Sequence, residues 1–145
     1  MSRFCATHRM PRARIDPIDS EIEALSLVAP AIRHPLAHDT IAILLDAERR
    51  GLSILTITGT IALDAMFDVL EVVVEAGRDS DLGGLILATV RPDGGLEADD
   101  GDRWLEASDL VEQHGIELVE WFVIADQIVC PRDMLGIPPK WGTPY

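Results

Sequence analysis

A chain of 145 residues, 48% apolar and 26% charged, has the size and composition of one folded domain with a single core, which excludes disorder over most of its length. The net charge of −13 excludes broad binding to phosphate backbones. The basic residues gather only at Arg3, Arg9, Arg12 and Arg14, and from position 15 onward 8 basic residues face 25 acidic ones, a balance of −17.

The basic cluster reads as a flexible tail over residues 1–15, with a nucleic-acid arm as its alternative. No apolar run approaches the roughly 20 residues that a bilayer span needs, and the amino-terminal stretch holds no signal-like hydrophobic block. Two cysteines, Cys5 and Cys130, are too few and too far apart for a zinc ribbon or a redox pair. The expectation is a cytoplasmic protein with no membrane contact.

A first helix is expected from about Asp16, with Asp16 as N-cap, Pro17 at the first helical position and Asp19 three residues after the cap. Ile18, Ile22, Leu25, Ala29 and Ile32 follow at helical spacing, and Pro30 and Pro35 end or kink the run. Residues 40–46 and 52–58 are β-branched and aliphatic, separated by a short polar segment, and read as an antiparallel hairpin whose first strand is central. Over residues 63–76, Leu63, Met66, Phe67, Leu70, Val73 and Val74 fall on one helical stripe, although three successive valines leave a strand as the alternative. A buried strand begins at Leu85, a helix is expected from Asp102 to about His114, and strands are expected at 117–125 and 128–130. Residues 138–145 read as an irregular tail. The order α-β-β-α-β-α-β-β implies an α/β fold, a three-layer α-β-α sandwich with a mixed sheet.

The functional interest lies in residues 85–102, where the apolar run LILA breaks at Pro92 into a Gly-rich acidic loop before a helix. A loop held between a strand end and a helix is a common place for a site. Asp93, Glu97, Asp99, Asp100 and Asp102 could attract a hard cation, but their spacing does not match an EF-hand, and a solvated acidic loop explains them as well. His34 and His38 are separated by Pro35 and do not share a helical face, while His114 suits a helix carboxyl end. Trp104, Trp121 and Trp141 serve a core or a binding surface. The paired glycines at 83–84 and 94–95 lack phosphate-loop spacing.

The runs LILATVRPDGG and HGIELVEWFVIAD, Gly59-Thr60 and the order of elements resemble the RadC-like branch of the JAB/MPN (JAMM) metalloprotease superfamily. The likeness extends over about residues 20–137, and the expected domain over 16–137. That branch carries His-x-His-Pro-Ser-Gly at a strand end, then Ser-x-x-Asp, then Gly-Ile-x-Leu-x-Asp-His. In this chain Thr89 and Arg91 stand at the two metal-binding histidines and Pro92 is kept. Asp99 replaces the serine, Asp102 stands at the metal-binding aspartate, and Glu120 and Trp121 replace the Asp-His pair. His38 and Asp39 are nearest to the family's catalytic glutamate.

A catalytic zinc needs about three N, S or carboxylate ligands and an open position for water. Thr89 is a neutral hydroxyl, and Arg91 keeps its charge and cannot ligate. Asp102 is the sole retained ligand-type residue, so no metal and no cofactor is expected. Arg91 is expected either to pair with Asp102 in place of the lost dication or to lie on the surface, and Trp121 to fill the vacated pocket. The resemblance thus implies a catalytically inactive domain that works as a protein-interaction or structural module, with a protein partner or by self-association. The alternatives are a hydrolase, metal-dependent or acid/base, built on His38, Asp39 and Asp102, or a DNA-repair-associated accessory binding through the basic tail.

Overall fold

The computed structural model describes residues 10–141; Arg3, Cys5, Arg9 and residues 142–145 lie outside them. The elements are α1 (Glu21–Val28), β1 (Asp39–Leu45), β2 (Gly51–Thr58), α2 (Ala65–Ala76), β3 (Gly84–Val90), α3 (Asp100–Glu112), β4 (Glu117–Ile124) and β5 (Ile128–Val129), with 3-10 turns at Ala29–Ala31 and Pro131–Leu135. None of these helices is long and apolar enough to cross a membrane.

The first helix starts later than Asp16. Ser20 is its N-cap and accepts from the Glu23 N–H, while the Glu23 carboxylate accepts from the Asp19 N–H. This is close to a Ser-x-x-Glu capping box, and it outcompetes the Asp16-Pro17 signal because it satisfies two amide donors at once. Asp16 instead holds Arg12 at 2.9 Å, and Pro17 and Ile18 lie along Arg49–Arg50 as extended chain. Ile18 is buried from outside any helix, whereas Ile22, expected on the buried stripe, is exposed. Arg14 also donates its backbone N–H to Gly51, at the start of β2.

Asp46 ends β1 and folds the hairpin by accepting from the N–H groups of Glu48 and Arg50 and from the Arg50 guanidinium. The sheet order is β2-β1-β3-β4-β5. The β1–β2, β1–β3 and β4–β5 pairs are antiparallel and β3–β4 is parallel, so the sheet is mixed. The parallel pair requires a crossover, which α3 supplies. The valine run at 72–74 is helical: Val73 and Val74 are buried in α2, and Val72 points outward.

Alternation along the central strands divides the core in two. Ala42, Leu44, Leu85, Leu87, Leu118, Trp121 and Val123 pack under α2 and α3, with Met66, Leu70, Val73, Trp104 and Val111. Ile41, Ile43, Leu45, Ile86, Ala88, Phe122 and Ile124 pack against α1 on the other face, with Ala24 and Val28. The result is an α/β sandwich around a five-stranded mixed sheet.

One irregularity matters for the site. The β3–β4 register shifts between Leu85, opposite Leu118, and Ile86, opposite Glu120. This bulge puts Trp121 on the α2/α3 face three positions after Leu118, although strict alternation would have turned it toward α1.

The free edge of β4 is closed by the chain that follows. β5 covers only Val123 and Ile124, Lys140 donates its ammonium to the Leu118 carbonyl, and the Glu120 carboxylate accepts from the Trp121 N–H. Lys140 also stands 5.3 Å from the ring centre of Trp104. Trp141 packs against the α1-side core.

Gly115 links α3 to β4 at φ 74°, in the left-handed region where a side chain is strained. Gly115→Ala is expected to lower stability by about 1 kcal/mol in urea unfolding, and Gly115→Asn by less, because Asn tolerates this region better than Ala.

Candidate functional site

β3 runs to the end of the sheet where β1 begins, so Thr89 lies opposite Thr40. The alternation that buries Leu85 and Leu87 under α2 and α3 sends Thr89 and Arg91 to the same face. Trp121 arrives there through the β4 bulge. Three of the positions that the resemblance singles out, Thr89, Arg91 and Trp121, are thus brought together.

Their side chains are bonded to one another and to α3. The Trp121 indole N–H donates to the Thr89 hydroxyl at 2.9 Å, and the Arg91 guanidinium lies 5.8 Å from the Trp121 ring centre. Arg91 forks onto both oxygens of Asp100, at 2.6 and 3.0 Å, and donates to the Gly95 carbonyl at 2.8 Å. The loop after β3 is thereby wrapped round the guanidinium, and Arg91 is 6% exposed and Asp100 0%. Asp100 also accepts from the Glu97 N–H at 2.6 Å and from Arg103 at 3.0 Å, and Arg103 reaches Asp64 at 2.8 Å. Two guanidinium and two carboxylate groups balance, in the planar geometry that suits Arg.

The expected Arg91–Asp102 pair is corrected by this arrangement. α3 begins at Asp100, two residues before Asp102, so the first-turn side chain directed at the strand end is that of Asp100, and Asp102 is exposed. Asp99, the residue before the helix, makes no capping bond and is exposed as well. Surface placement, the other expectation for Arg91, is also overturned by its burial.

Burial alone would raise the Asp100 carboxyl, but the Arg91 fork, the Glu97 N–H and Arg103 outweigh it and hold the group below the ordinary carboxylate range.

The remaining candidates lie beside this cluster without joining it. Asp39 is buried at the start of β1, where Arg33 grips both its oxygens at 2.8 and 2.7 Å. His38 is partly exposed, its Nε2 is 3.6 Å from Asp93, and its carbonyl accepts from the N–H groups of Gly59 and Thr60. Thr40 donates its hydroxyl to Thr60 at 2.9 Å.

Glu120 occupies a second buried pair. Arg132 of the closing 3-10 turn donates to it at 2.8 Å, and both groups are buried. Burial is the largest influence on Glu120 and pushes its carboxyl up, with the bonds from Trp121 and Arg132 offsetting only part of that push. Cys130 nearby is a buried thiol raised by burial first and then by the charges of Glu120 and Glu21. A thiol so placed is a poor nucleophile.

Arg103, Asp64 and Arg132 are the network residues that the sequence did not single out, and Asp100 stood out only as one acid of a loop that could attract a hard cation. The Asp100–Arg103 spacing of three was a visible sign of a shared helix face, whereas the Asp64 and Arg132 pairings join distant elements.

The donor set at the resemblance-derived positions does not fit a catalytic metal. Thr89 is occupied by an indole, Arg91 cannot ligate, and the nearest carboxylate is already shared between two guanidinium groups. Among the described residues no three His, Cys, Asp or Glu side chains gather where they could hold a metal ion. A scan against protein-family models finds none that matches the chain, and a search of curated proteins finds no match.

Proposed function

We propose that the chain is a RadC-like JAB/MPN domain in which the catalytic positions have become a closed structural network, and that it works as a protein-interaction or structural module. The observation that carries this reading is the Arg91 fork onto Asp100 beside Trp121, at positions that the resemblance would give to a dication and its water. A guanidinium supplies positive charge without a coordination position, so it can preserve the charge balance of such a site but cannot generate hydroxide. Trp121, hydrogen-bonded to Thr89, adds apolar bulk and excludes water.

The acid/base hydrolase alternative gains nothing from the geometry. Asp39 is tied to Arg33, and the Asp102 side chain is directed to solvent on α3.

Metal analysis and thermal unfolding test the proposal. The purified chain is expected to carry less than ~0.1 zinc per molecule, and neither zinc nor a chelator should move Tm measurably, since a metal at ~100 times its Kd would add about 2.7 kcal/mol to the folded state. Stoichiometric zinc together with peptide-bond hydrolysis that a chelator abolishes would overturn it.

A further inference from the structure

We propose that the cavity between α1, the start of β2 and residues 11–18 is a binding site for a small amphiphilic anion, a carboxylate on a short aliphatic chain. The site goes beyond the inactive-domain reading and does not depend on it. It lies on the α1 face toward the turn between β1 and β2, whereas Thr89 and Trp121 meet on the α2/α3 face at the opposite end of the sheet.

The cavity has a volume of about 310 Å³. That is at the small end of ligand pockets, which start near about 300 Å³, and roughly twice a cavity that takes one benzene ring. Its floor is aliphatic, made by Ile18, Leu27, Ile43, Leu52 and Ile54. Ile18 and Ile43 are buried in the α1-side core, so the fold itself fixes this floor. A lining of this kind takes an apolar body, because every methylene placed against it leaves water.

Residues 11–13 make the other wall, and the backbone brings them there in an uncommon shape. Arg14 has φ 63°, a left-handed conformation that an arginine adopts only at a cost. The bend is held by the Arg14 N–H on the Gly51 carbonyl, by the Ile18 N–H on the Arg49 carbonyl, and by a turn in which the Ile15 and Asp16 N–H groups donate to the Arg12 carbonyl. Pro11, Arg12 and Ala13 are thereby set against the cavity. Strain of this kind collects where a segment clamps a ligand.

Charge selects the head group. Among the described residues that line the cavity, Arg12 is the only charged one, in a chain of net charge −13. Asp16 fixes its guanidinium, accepting from Nε at 2.9 Å and from Nη2 at 3.2 Å. No hydrogen bond among the described residues uses Nη1, which is left as a donor for a ligand carboxylate. The Arg12–Asp16 pair is itself solvent-exposed and therefore competes only weakly with such a ligand.

Isothermal titration of the full chain with octanoate, below its micelle concentration, tests this. A single octanoate is expected per chain, and binding should weaken about fourfold with each methylene removed, the equivalent of ~0.8 kcal/mol per buried CH2. Ile54→Trp fills the cavity from an exposed position and should abolish binding while the chain stays folded. Arg12→Gln should weaken octanoate and leave octanol unchanged. Asp16→Asn, which removes the competing carboxylate, should tighten octanoate about twofold to fivefold, the worth of one exposed ion pair and a gain that misfolding could not produce. No binding at up to ~10 mM octanoate, binding indifferent to Ile54→Trp, an Arg12→Gln change that weakens octanoate and octanol alike, or octanoate bound only after residues 1–9 are removed would each overturn the proposal.

Discussion

Asp100→Ala is expected to lower the unfolding free energy by about 3–5 kcal/mol, because it strands the buried Arg91 guanidinium with one carbonyl bond and leaves Arg103 with only Asp64. The converse change is the control. Arg91→Met combined with Asp100→Leu removes both charges, keeps comparable volume, and should be neutral or stabilising by about 1–4 kcal/mol. If both variants lose the same stability, packing rather than charge balance holds the loop, and the network is not the keystone described above.

The pair also has a pH signature. The Asp100 carboxyl is held below its unfolded value, so its contribution is fully present above an unfolded pKa of about 3.9 and is lost as the pH falls through the lower folded value. Acid titration of stability in the wild type should show this loss, and Asp100→Asn should remove it.

Arg132→Ala is the second large effect, again about 3–5 kcal/mol at neutral pH, because it leaves Glu120 charged, buried and without its cation. Here the sign of the pH dependence reverses. Burial raises Glu120 above its unfolded value even with Arg132 present, so the stability linked to its protonation is present below the unfolded pKa of about 4.3 and lost as the pH rises through the folded one. Without Arg132 the folded value rises further. The variant should therefore lose more stability at pH 8 than at pH 5, as read by urea unfolding at the two values. An equal loss would mean that Arg132 does not change the protonation of Glu120 between the two pH values. Glu120→Gln should narrow the difference between wild type and variant, because an amide has no charge to strand.

The two networks tie loops to the sheet by the same device, a buried carboxylate held by a guanidinium from another element. Arg91 binds the loop after β3 to the start of α3, and Arg132 binds the closing turn to β4. Both buried carboxylates at these junctions are thereby paired with guanidinium groups.

What the chain itself determined is what depends on local pattern. Continuous runs of β-branched and aliphatic residues over 40–46 and 85–88 made central strands, because a strand covered by helices on both faces buries every side chain. The 3.6-residue stripe of Met66, Leu70 and Val73 made α2 in spite of its valines, since burial outweighs a propensity cost of a few tenths of a kcal/mol per residue. That neither Thr89 nor Arg91 can hold a catalytic metal was likewise legible, as side-chain chemistry needs no fold to be read. The Ser20-x-x-Glu23 signal was present too, though masked by an Asp-Pro four residues earlier.

Only the tertiary structure decided which groups meet. A one-residue bulge in β4, invisible in the run ELVEWFVI, turned Trp121 toward Thr89, because a side-chain period of two reverses face with a single inserted residue. A start of α3 two residues earlier than expected gave Asp100 rather than Asp102 to Arg91, since 100° of rotation per residue separates a buried first-turn carboxylate from an exposed one. Pairings across long stretches of chain, such as Arg132 with Glu120 and Arg103 with Asp64, follow from how the elements stack and leave no periodic trace in the sequence.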